Sequence, residues 1–356
     1  MKNKEEFKTI YNKWYVTPRQ HNSYDVSCLQ KEFKTKYENG MFRDLTTVTI
    51  EIMRQCNLNC QMCPITEGKF LNQNLEKMNF ETYKSIIDNL PKTVKNVTPN
   101  GIGEGFIHPD FIDILKYTKD KGYQTSINSN GMLFELEALK YLDEIIFSMD
   151  SAVKHELEEI RSRVSYEKLI EIIQESKKYI QENNLNTKLS INGVISSINN
   201  KHIEKLFPLV NELNCDNLSL SASSNYFSLQ TPKFIKFEEN IHKNNEIEWD
   251  KIVHHVLNNN YNFDTKLYYP NIRKGLCNFG FTHLFIDNDQ NVSLCCIKPR
   301  DTIIGTLKNM TFDEILNSKI LQEYKDSQLN LTKYTICDYC TNAMPKDTYN
   351  NIRGIK

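Results

Sequence analysis

Three cysteines at the spacing C-x3-C-x2-C constrain this chain more than any other feature of its sequence. Cys56, Cys60 and Cys63 follow directly after an apolar, β-branched run at residues 48–53. Three thiolates on one short loop can ligate three irons of a cubane iron–sulfur cluster, which leaves the fourth iron open to a small molecule. The alternative is a zinc loop completed by a distant ligand, although zinc loops more often use paired C-x2-C knuckles.

Composition narrows the classes of protein to consider. The chain has 356 residues, of which 39% are hydrophobic, so it can form two domains or one large one. Its net charge of −1 provides no basic field for nucleic acid. We expect no membrane span and no signal peptide, because no long apolar run occurs. The ten cysteines are therefore expected in a reducing cytoplasm, where patterned cysteines bind metals more often than they form disulfides.

From about residue 45 the sequence alternates between strand-like and helical patterns. Such alternation predicts an α/β protein with a parallel sheet buried on both faces. Periodicity alone leaves open a partial barrel or a doubly wound sheet. Pro208 is expected to kink or shorten its helix. The predicted strands are residues 47–53, 96–102, 123–128, 144–149, 188–195 and 217–222.

Unusual polar and glycine residues fall at the carboxyl ends of the first four predicted strands. Parallel barrels build their active sites at that edge. Each turn alone is an ordinary βα connection, and Asp150 could instead cap the next helix. In chain order the residues are the three cysteines, then Gly103 and Glu104, then Ser129 and Asn130, then Ser148 and Asp150.

This combination resembles the radical S-adenosylmethionine (radical SAM) enzymes. The resemblance implies a partial (β/α)6 parallel barrel and a SAM-binding 4Fe–4S cluster held by Cys56, Cys60 and Cys63. It also implies reductive cleavage of SAM to a 5′-deoxyadenosyl radical, which abstracts hydrogen from the substrate. An electron donor such as flavodoxin or ferredoxin would be the partner.

The resemblance also assigns contacts to SAM. The residue before the third cysteine is usually aromatic and lies beside the adenine; here it is Met62, whose thioether also packs against rings. Gly103 and Glu104 match the core of the family's GGEP motif, which holds the methionyl amino group, although Gly105 replaces the usual proline. The family's TNG element corresponds here to Ser129 and Asn130, and its S-x-D element to Ser148 and Asp150. The resemblance implies that both elements contact the ribose or carboxylate of SAM, or the substrate.

The C-terminal cysteines predict a second metal centre. Cys277 precedes and Cys295 follows a predicted β-hairpin at residues 285–294, and Cys337 and Cys340 form a C-x2-C pair. Four thiolates in this arrangement can complete a 4Fe–4S cluster, although a zinc ribbon would accept the same spacing. A Thr-x-x-Glu capping box at Thr311 predicts a helix between the hairpin and the pair.

This region resembles the SPASM/Twitch extension of radical SAM enzymes, in its shorter Twitch form with one auxiliary cluster. The usual glycine of the hairpin is Gln290 here. The sequence thus predicts a lead-in at residues 1–44, a radical SAM core at 45–235, a connector at 236–265 and an auxiliary-cluster domain at 266–356. The lead-in is shorter than the peptide-binding domain that some peptide-modifying relatives carry there.

The reaction itself is less constrained. The cysteine pattern most resembles 2-deoxy-scyllo-inosamine dehydrogenase, so we predict oxidation of a small polyol or sugar, or its epimerisation. An epimerase needs a thiol that returns hydrogen, for which Cys296 and Cys215 are the candidates, while Cys28 is expected to be structural. The alternatives are maturation of a ribosomal peptide or a protein and, outside the enzymes, an iron–sulfur or zinc-binding regulator.

Overall fold

The computed structural model describes residues 34–35, 37–40, 43–63, 65, 77–222, 249–268, 279–296 and 302–330. Cys28 and the predicted cluster ligands Cys277, Cys337 and Cys340 lie outside the described residues. Within them, no helix is long and apolar enough to cross a bilayer.

The described elements alternate between strands and helices through the central part of the chain. The strands are β1 (Thr47–Ile50), β2 (Asn59–Cys60), β3 (Asn96–Thr98), β4 (Gln124–Ser129), β5 (Glu144–Ser148), β6 (Arg161–Ser162), β7 (Lys188–Ile195), β8 (Asn217–Ala222), β9 (Asp264–Tyr268), β10 (His283–Ile286), β11 (Asn291–Ser293) and β12 (Ile303–Thr306). The α-helices are α1 (Phe80–Asp88), α2 (Phe111–Asp120), α3 (Lys154–Ile160), α4 (Tyr166–Glu182), α5 (Leu206–Glu212), α6 (Trp249–Asn258), α7 (Phe312–Leu316) and α8 (Lys319–Asn330).

Ten of these strands form one sheet in the order β12-β11-β10-β1-β3-β4-β5-β7-β8-β9. All neighbours from β10 to β9 are parallel. The six predicted strands follow one another in chain order across the sheet, which is the winding of a barrel. A doubly wound sheet would reverse direction at a switch point. The predicted partial (β/α)6 barrel is therefore confirmed.

The two faces of this sheet are buried to different degrees. One face is apolar and fully buried, as Ile50, Phe147 and Leu218 show. Because side chains alternate along a strand, every second residue points to the inner face of the barrel. That inner face is polar and half-buried, and includes Thr49, Thr98, Ser148, Asn192 and Ser219.

Residues 249–268, mostly in the predicted connector, contribute a helix and a strand to the barrel. β9 pairs parallel with β8, from Asn217 opposite Asp264 to Ser221 opposite Tyr268. The sheet therefore continues beyond the predicted end of the core at residue 235. Pro208 acts as predicted, because a 3-10 turn at Ile203–Lys205 gives way to the short helix α5, with Pro208 in its first turn.

The C-terminal hairpin is confirmed and is joined directly to the barrel. β10 pairs antiparallel with β11, and it pairs parallel with β1 from Thr47 opposite His283 to Ile50 opposite Ile286. The capping box of α7 is also confirmed, since Glu314 N donates to Thr311 Oγ1 and Thr311 N donates to Glu314 Oε2. The region carrying Cys295 is thus built onto the edge of the strand that leads to the cysteine loop.

Gln290 in the hairpin turn adopts φ 67°, which explains why a glycine is usual there. Gln290→Gly is expected to raise the free energy of unfolding by about 0.5–1 kcal/mol, because relief of the left-handed conformation exceeds the entropy cost of a glycine. Denaturant unfolding measures this change. Asp289→Gly is the control: the φ of Asp289 is not positive, so that glycine should lower stability. Equal losses in both variants would contradict the expectation.

His283 on β10 introduces a dependence of stability on pH. Burial lowers the pKa of His283 to about 4, and its Nε2 lies 3.0 Å from Thr49 Oγ1. Because the folded pKa lies below the unfolded value of about 6.5, protonation favours the unfolded state. Stability on the order of 3 kcal/mol should therefore be lost as the pH falls from about 7 to about 4. His283→Gln should remove this slope, whereas His155→Gln on the surface should leave it unchanged in urea titrations across this range.

Candidate active site

The cysteine loop leaves the carboxyl end of β1 and is clamped at its centre by a second, two-stranded sheet. β2 pairs antiparallel with β6, which places Cys60 opposite Arg161. Gln61 N donates to Ile160 O at 2.9 Å, and the Gln61 side chain donates to Glu159 O at 2.7 Å. The loop is therefore fastened to the end of α3, beyond the carboxyl end of β5.

The three thiols share a desolvated environment. Cys60 is buried, and Cys56 and Cys63 are half-buried. Burial raises the pKa of Cys56 to about 11 and that of Cys63 to about 12, and it also raises the pKa of Cys60 against the opposing charge of Arg161. Thiols in such surroundings are neutral at pH 7 unless a bound cation displaces their protons.

This donor set fits an iron–sulfur cluster. Cys56 Sγ accepts from Leu58 N at 3.4 Å and lies 3.8 Å from Asn130 Nδ2, contacts that stabilise a thiolate ligand. Within the described part of the chain, no three His, Cys, Asp or Glu side chains converge on the position of a single metal ion. A cubane gives each of three thiolates its own iron, so three cysteines on one short loop suit such a cluster.

Glu104 links the segment that follows β3 to the carboxyl end of β4. Its Oε2 accepts from Asn130 N at 2.9 Å, and its Oε1 accepts from Ser129 Oγ at 3.1 Å. Asn130 Nδ2 in turn donates to Asn57 Oδ1 at 2.9 Å, inside the cysteine loop. Burial raises the pKa of Glu104. The structure thus brings three predicted site residues together in one hydrogen-bonded chain, and the contact of Glu104 with the methionyl amino group stays a prediction.

Asp150 lies at the end of β5 and forms a buried ion pair. Arg161 Nε donates to its Oδ2 at 2.6 Å, and Arg161 Nη2 donates to its Oδ1 at 3.1 Å. Val194 N also donates to Oδ1, at 2.7 Å. The N-cap of α3 is Val153, so Asp150 is not a helix cap. Its observed role is to hold Arg161 beside Cys60, and direct contact with SAM stays a prediction.

The remaining predicted SAM contacts lie close to the same loop. A Cβ at Gly103 would meet Met53 O at 2.5 Å and Gln55 O at 2.6 Å, so only glycine fits against the segment before Cys56. Met62 is half-buried against the core, and Ser148 lies on the inner face of β5. Their roles toward adenine or substrate stay predictions.

The two candidate hydrogen donors are placed differently. Cys215 precedes β8 at the amino end of the strand and is 3% exposed in the hydrophobic core. That position lies away from the carboxyl ends of the strands, where the other predicted site residues gather, and the role of Cys215 as a hydrogen donor stays a prediction. Cys295 and Cys296 follow β11 and are half-buried; their roles as cluster ligand and hydrogen donor stay predictions.

Two groups of buried charges were not predicted from the sequence. Glu51 and Arg54 pair between β1 and the cysteine loop, and Arg54 Nη2 lies 3.9 Å from Asp287 Oδ2 in the hairpin. At the other side of the barrel, buried Glu156 accepts from Ser151 Oγ and lies 2.5 Å from His202 Nδ1. The sequence offered one signal for these groups: Glu51 is a charged residue within an apolar, strand-like run.

Two family models match the chain in the order of its cysteine groups. Residues 50–220 match the radical SAM superfamily, and residues 277–341 match the SPASM iron–sulfur cluster-binding domain. This chain belongs to the radical SAM superfamily and carries a C-terminal SPASM domain. The two domains together imply a SAM-binding 4Fe–4S cluster, auxiliary clusters and SAM itself as cofactors. The one-cluster Twitch form, its ligands and the domain boundaries stay predictions.

Curated relatives match over different lengths. A tungsten-containing aldehyde ferredoxin oxidoreductase cofactor-modifying protein of Pyrococcus furiosus is 34% identical over 28% of this chain and 30% of its own length. A UPF0026 protein of Helicobacter pylori is 29% identical over 52% of the chain and 63% of its own length. The antilisterial bacteriocin subtilosin biosynthesis protein AlbA of Bacillus subtilis is 21% identical over 82% of the chain, which spans 64% of AlbA.

Solved structures share the fold across most of the chain. Streptococcus suis SuiB bound to precursor peptide SuiA superposes with a TM-score of 0.61 at 13% identity, covering 97% of the chain and 87% of SuiB. The SAM-bound anSMEcpe gives a TM-score of 0.60 at 15% identity, covering 87% of the chain and 96% of that protein. These identities establish the fold alone.

Proposed function

We propose that this radical SAM enzyme modifies a ribosomally made peptide or a protein side chain. The bound cluster and SAM would supply the radical that removes a substrate hydrogen. The cysteine loop would hold the cluster, and Glu104, Ser129 and Asn130 would orient SAM. The barrel would enclose the substrate. This proposal replaces the small polyol or sugar of the sequence analysis with its alternative substrate.

The length of the similarity to AlbA carries this proposal. That similarity runs over 310 residues, whereas those to the Pyrococcus and Helicobacter proteins run over 112 and 199. The radical SAM model covers only residues 50–220, so a match of that length extends beyond the SAM-cleaving core. The fold shared with peptide-bound SuiB gives further support.

The inner face of the barrel suits such a substrate. Hydroxyl and amide side chains, among them Thr98, Ser148 and Asn192, are half-buried along it. A peptide backbone offers N–H and C=O groups at regular intervals, and side chains of this kind both donate and accept hydrogen bonds. The inner face therefore suits a neutral ligand that offers several hydrogen-bond donors and acceptors.

The test is anaerobic. The protein is reconstituted with iron and sulfide, reduced with dithionite and given SAM together with short peptides encoded beside its gene. Formation of 5′-deoxyadenosine with loss of two hydrogens from a peptide would support crosslinking or dehydrogenation. Deuterium uptake from heavy water with no other mass change would support epimerisation. SAM cleavage with every peptide unmodified would overturn the peptide substrate.

Oxidation or epimerisation of a polyol or sugar is the second candidate function. The hydroxyl and amide groups of the inner face favour it as well, because a polyol presents the same donors and acceptors as those side chains. A panel of cyclitols and sugars in the same assay separates the two. Consumption of a cyclitol in step with 5′-deoxyadenosine, with peptides untouched, would favour the second candidate.

A further inference from the structure

A buried charge group connects the radical core to the SPASM hairpin. Glu51 at the end of β1 is 0% exposed, Arg54 is 2% exposed and Asp287 in the hairpin turn is 5% exposed. Arg54 Nε donates to Glu51 Oε2 at 2.8 Å, and Arg54 Nη2 lies 3.9 Å from Asp287 Oδ2. We call these three residues the latch. Such desolvated charges are costly to bury, so their mutual orientation is tightly constrained.

The first end of the latch touches the predicted SAM-binding turn. Glu51 Oε1 accepts from Ile102 N at 3.3 Å, directly before Gly103 and Glu104. A Cβ at Gly101 would lie 2.3 Å from Glu51 Cγ, so the turn packs on the Glu51 side chain itself. A shift of this turn on binding SAM would therefore displace Glu51.

The other end of the latch fixes the tip of the hairpin. Asp287 Oδ1 accepts from Asp289 N at 2.9 Å and from Asn291 N at 2.8 Å, and Oδ2 accepts from Asn291 Nδ2 at 3.0 Å. β11 then runs from this turn to Cys295. The position of the tip determines the path of the strand that carries the predicted auxiliary ligand.

We propose that the latch couples the SAM-binding turn to the SPASM hairpin, with Arg54 as the positioning residue between them. Occupation of the SAM site orders Ile102 and Glu51, Arg54 passes this constraint to Asp287, and the hairpin becomes more rigid. The coupling is reciprocal, so an ordered hairpin favours SAM binding by the same factor. It does not depend on whether the substrate is a peptide.

Hydrogen exchange of the reconstituted enzyme, with and without SAM, tests this proposal. In the wild type, SAM should slow exchange of the amides at residues 287–294 as well as at residues 101–104. Asp287→Asn keeps an oxygen for the turn amides but removes the carboxylate that faces Arg54. In this variant the hairpin amides should exchange about tenfold faster, and their response to SAM should fall to a third or less.

Two further variants keep the test decisive. Asp289→Asn makes the same charge change two residues away and should behave as the wild type. Arg54→Lys keeps the charge but not the planar fork, and it should weaken the hairpin response while SAM still protects residues 101–104. An unchanged SAM response in Asp287→Asn, or no response of the wild-type hairpin, would overturn the coupling.

Discussion

Replacing Cys60 with alanine is expected to abolish reductive cleavage of SAM. Cys60 is the most buried of the three loop cysteines and lies opposite Arg161 in the small sheet that clamps the loop. A cubane with one open iron needs three thiolates, and this variant has only two. SAM would therefore lose the iron that binds it and the cluster that reduces it. The measurement is 5′-deoxyadenosine formed anaerobically with dithionite, together with the iron bound per chain.

Cys215→Ala is the matched control for this substitution. Cys215 is also a buried thiol, but it lies in the hydrophobic core at the amino end of β8. That variant should bind as much iron as the wild type and cleave SAM at the same rate. Retention of SAM cleavage by Cys60→Ala would contradict the assignment of the loop as the SAM-cluster site.

Arg161→Met is expected to lower the free energy of unfolding by about 3–5 kcal/mol. Asp150 is fully buried, and its carboxylate accepts two hydrogen bonds from Arg161. Removal of the guanidinium leaves an uncompensated charge in the core, which costs far more than the pair itself contributes. Urea unfolding of the apoprotein measures the loss without any contribution from the cluster.

Two variants separate this charge effect from a general loss of packing. Asp150→Asn combined with Arg161→Met removes both charges and should recover more than half of the lost stability. Lys154→Met breaks an exposed pair with Glu167 and should change stability by less than about 1 kcal/mol. A double variant no more stable than Arg161→Met would show that the ion pair is not the cause.

Much of the barrel could be predicted, because its signals are local. All six strands lie where apolar runs and turn residues place them, although β1 and β3 are shorter than expected. The orientation of the inner face could not be predicted in the same way. Thr49, Asn192 and Ser219 alternate with residues of the buried face, but β-branched and small residues made the strands resemble two-sided buried ones.

The candidate site was likewise predictable where its signals are local, and not where it depends on contacts between distant parts of the chain. Cysteine spacing and the turns at strand ends located Glu104, Ser129 and Asn130, which the structure joins in one hydrogen-bonded chain. Partners far apart in sequence, such as Arg54 and Asp287, could not be found, because no local pattern records a contact made by the folded chain. α6 is a different case: its apolar residues recur at helical spacing, a local signal that the prediction of a connector missed.

The pairing of β10 with β1 has a consequence for how the protein is made. Thr46 and Thr282 meet at this edge although they are 236 positions apart. At synthesis rates of about 5–20 residues per second, the edge of β1 waits roughly 10–50 s for its partner on the ribosome. An unpaired strand edge invites association with other chains during that interval. Pairing with the SPASM hairpin would end that exposure, so we expect a chain cut before the hairpin to aggregate more readily than the full chain.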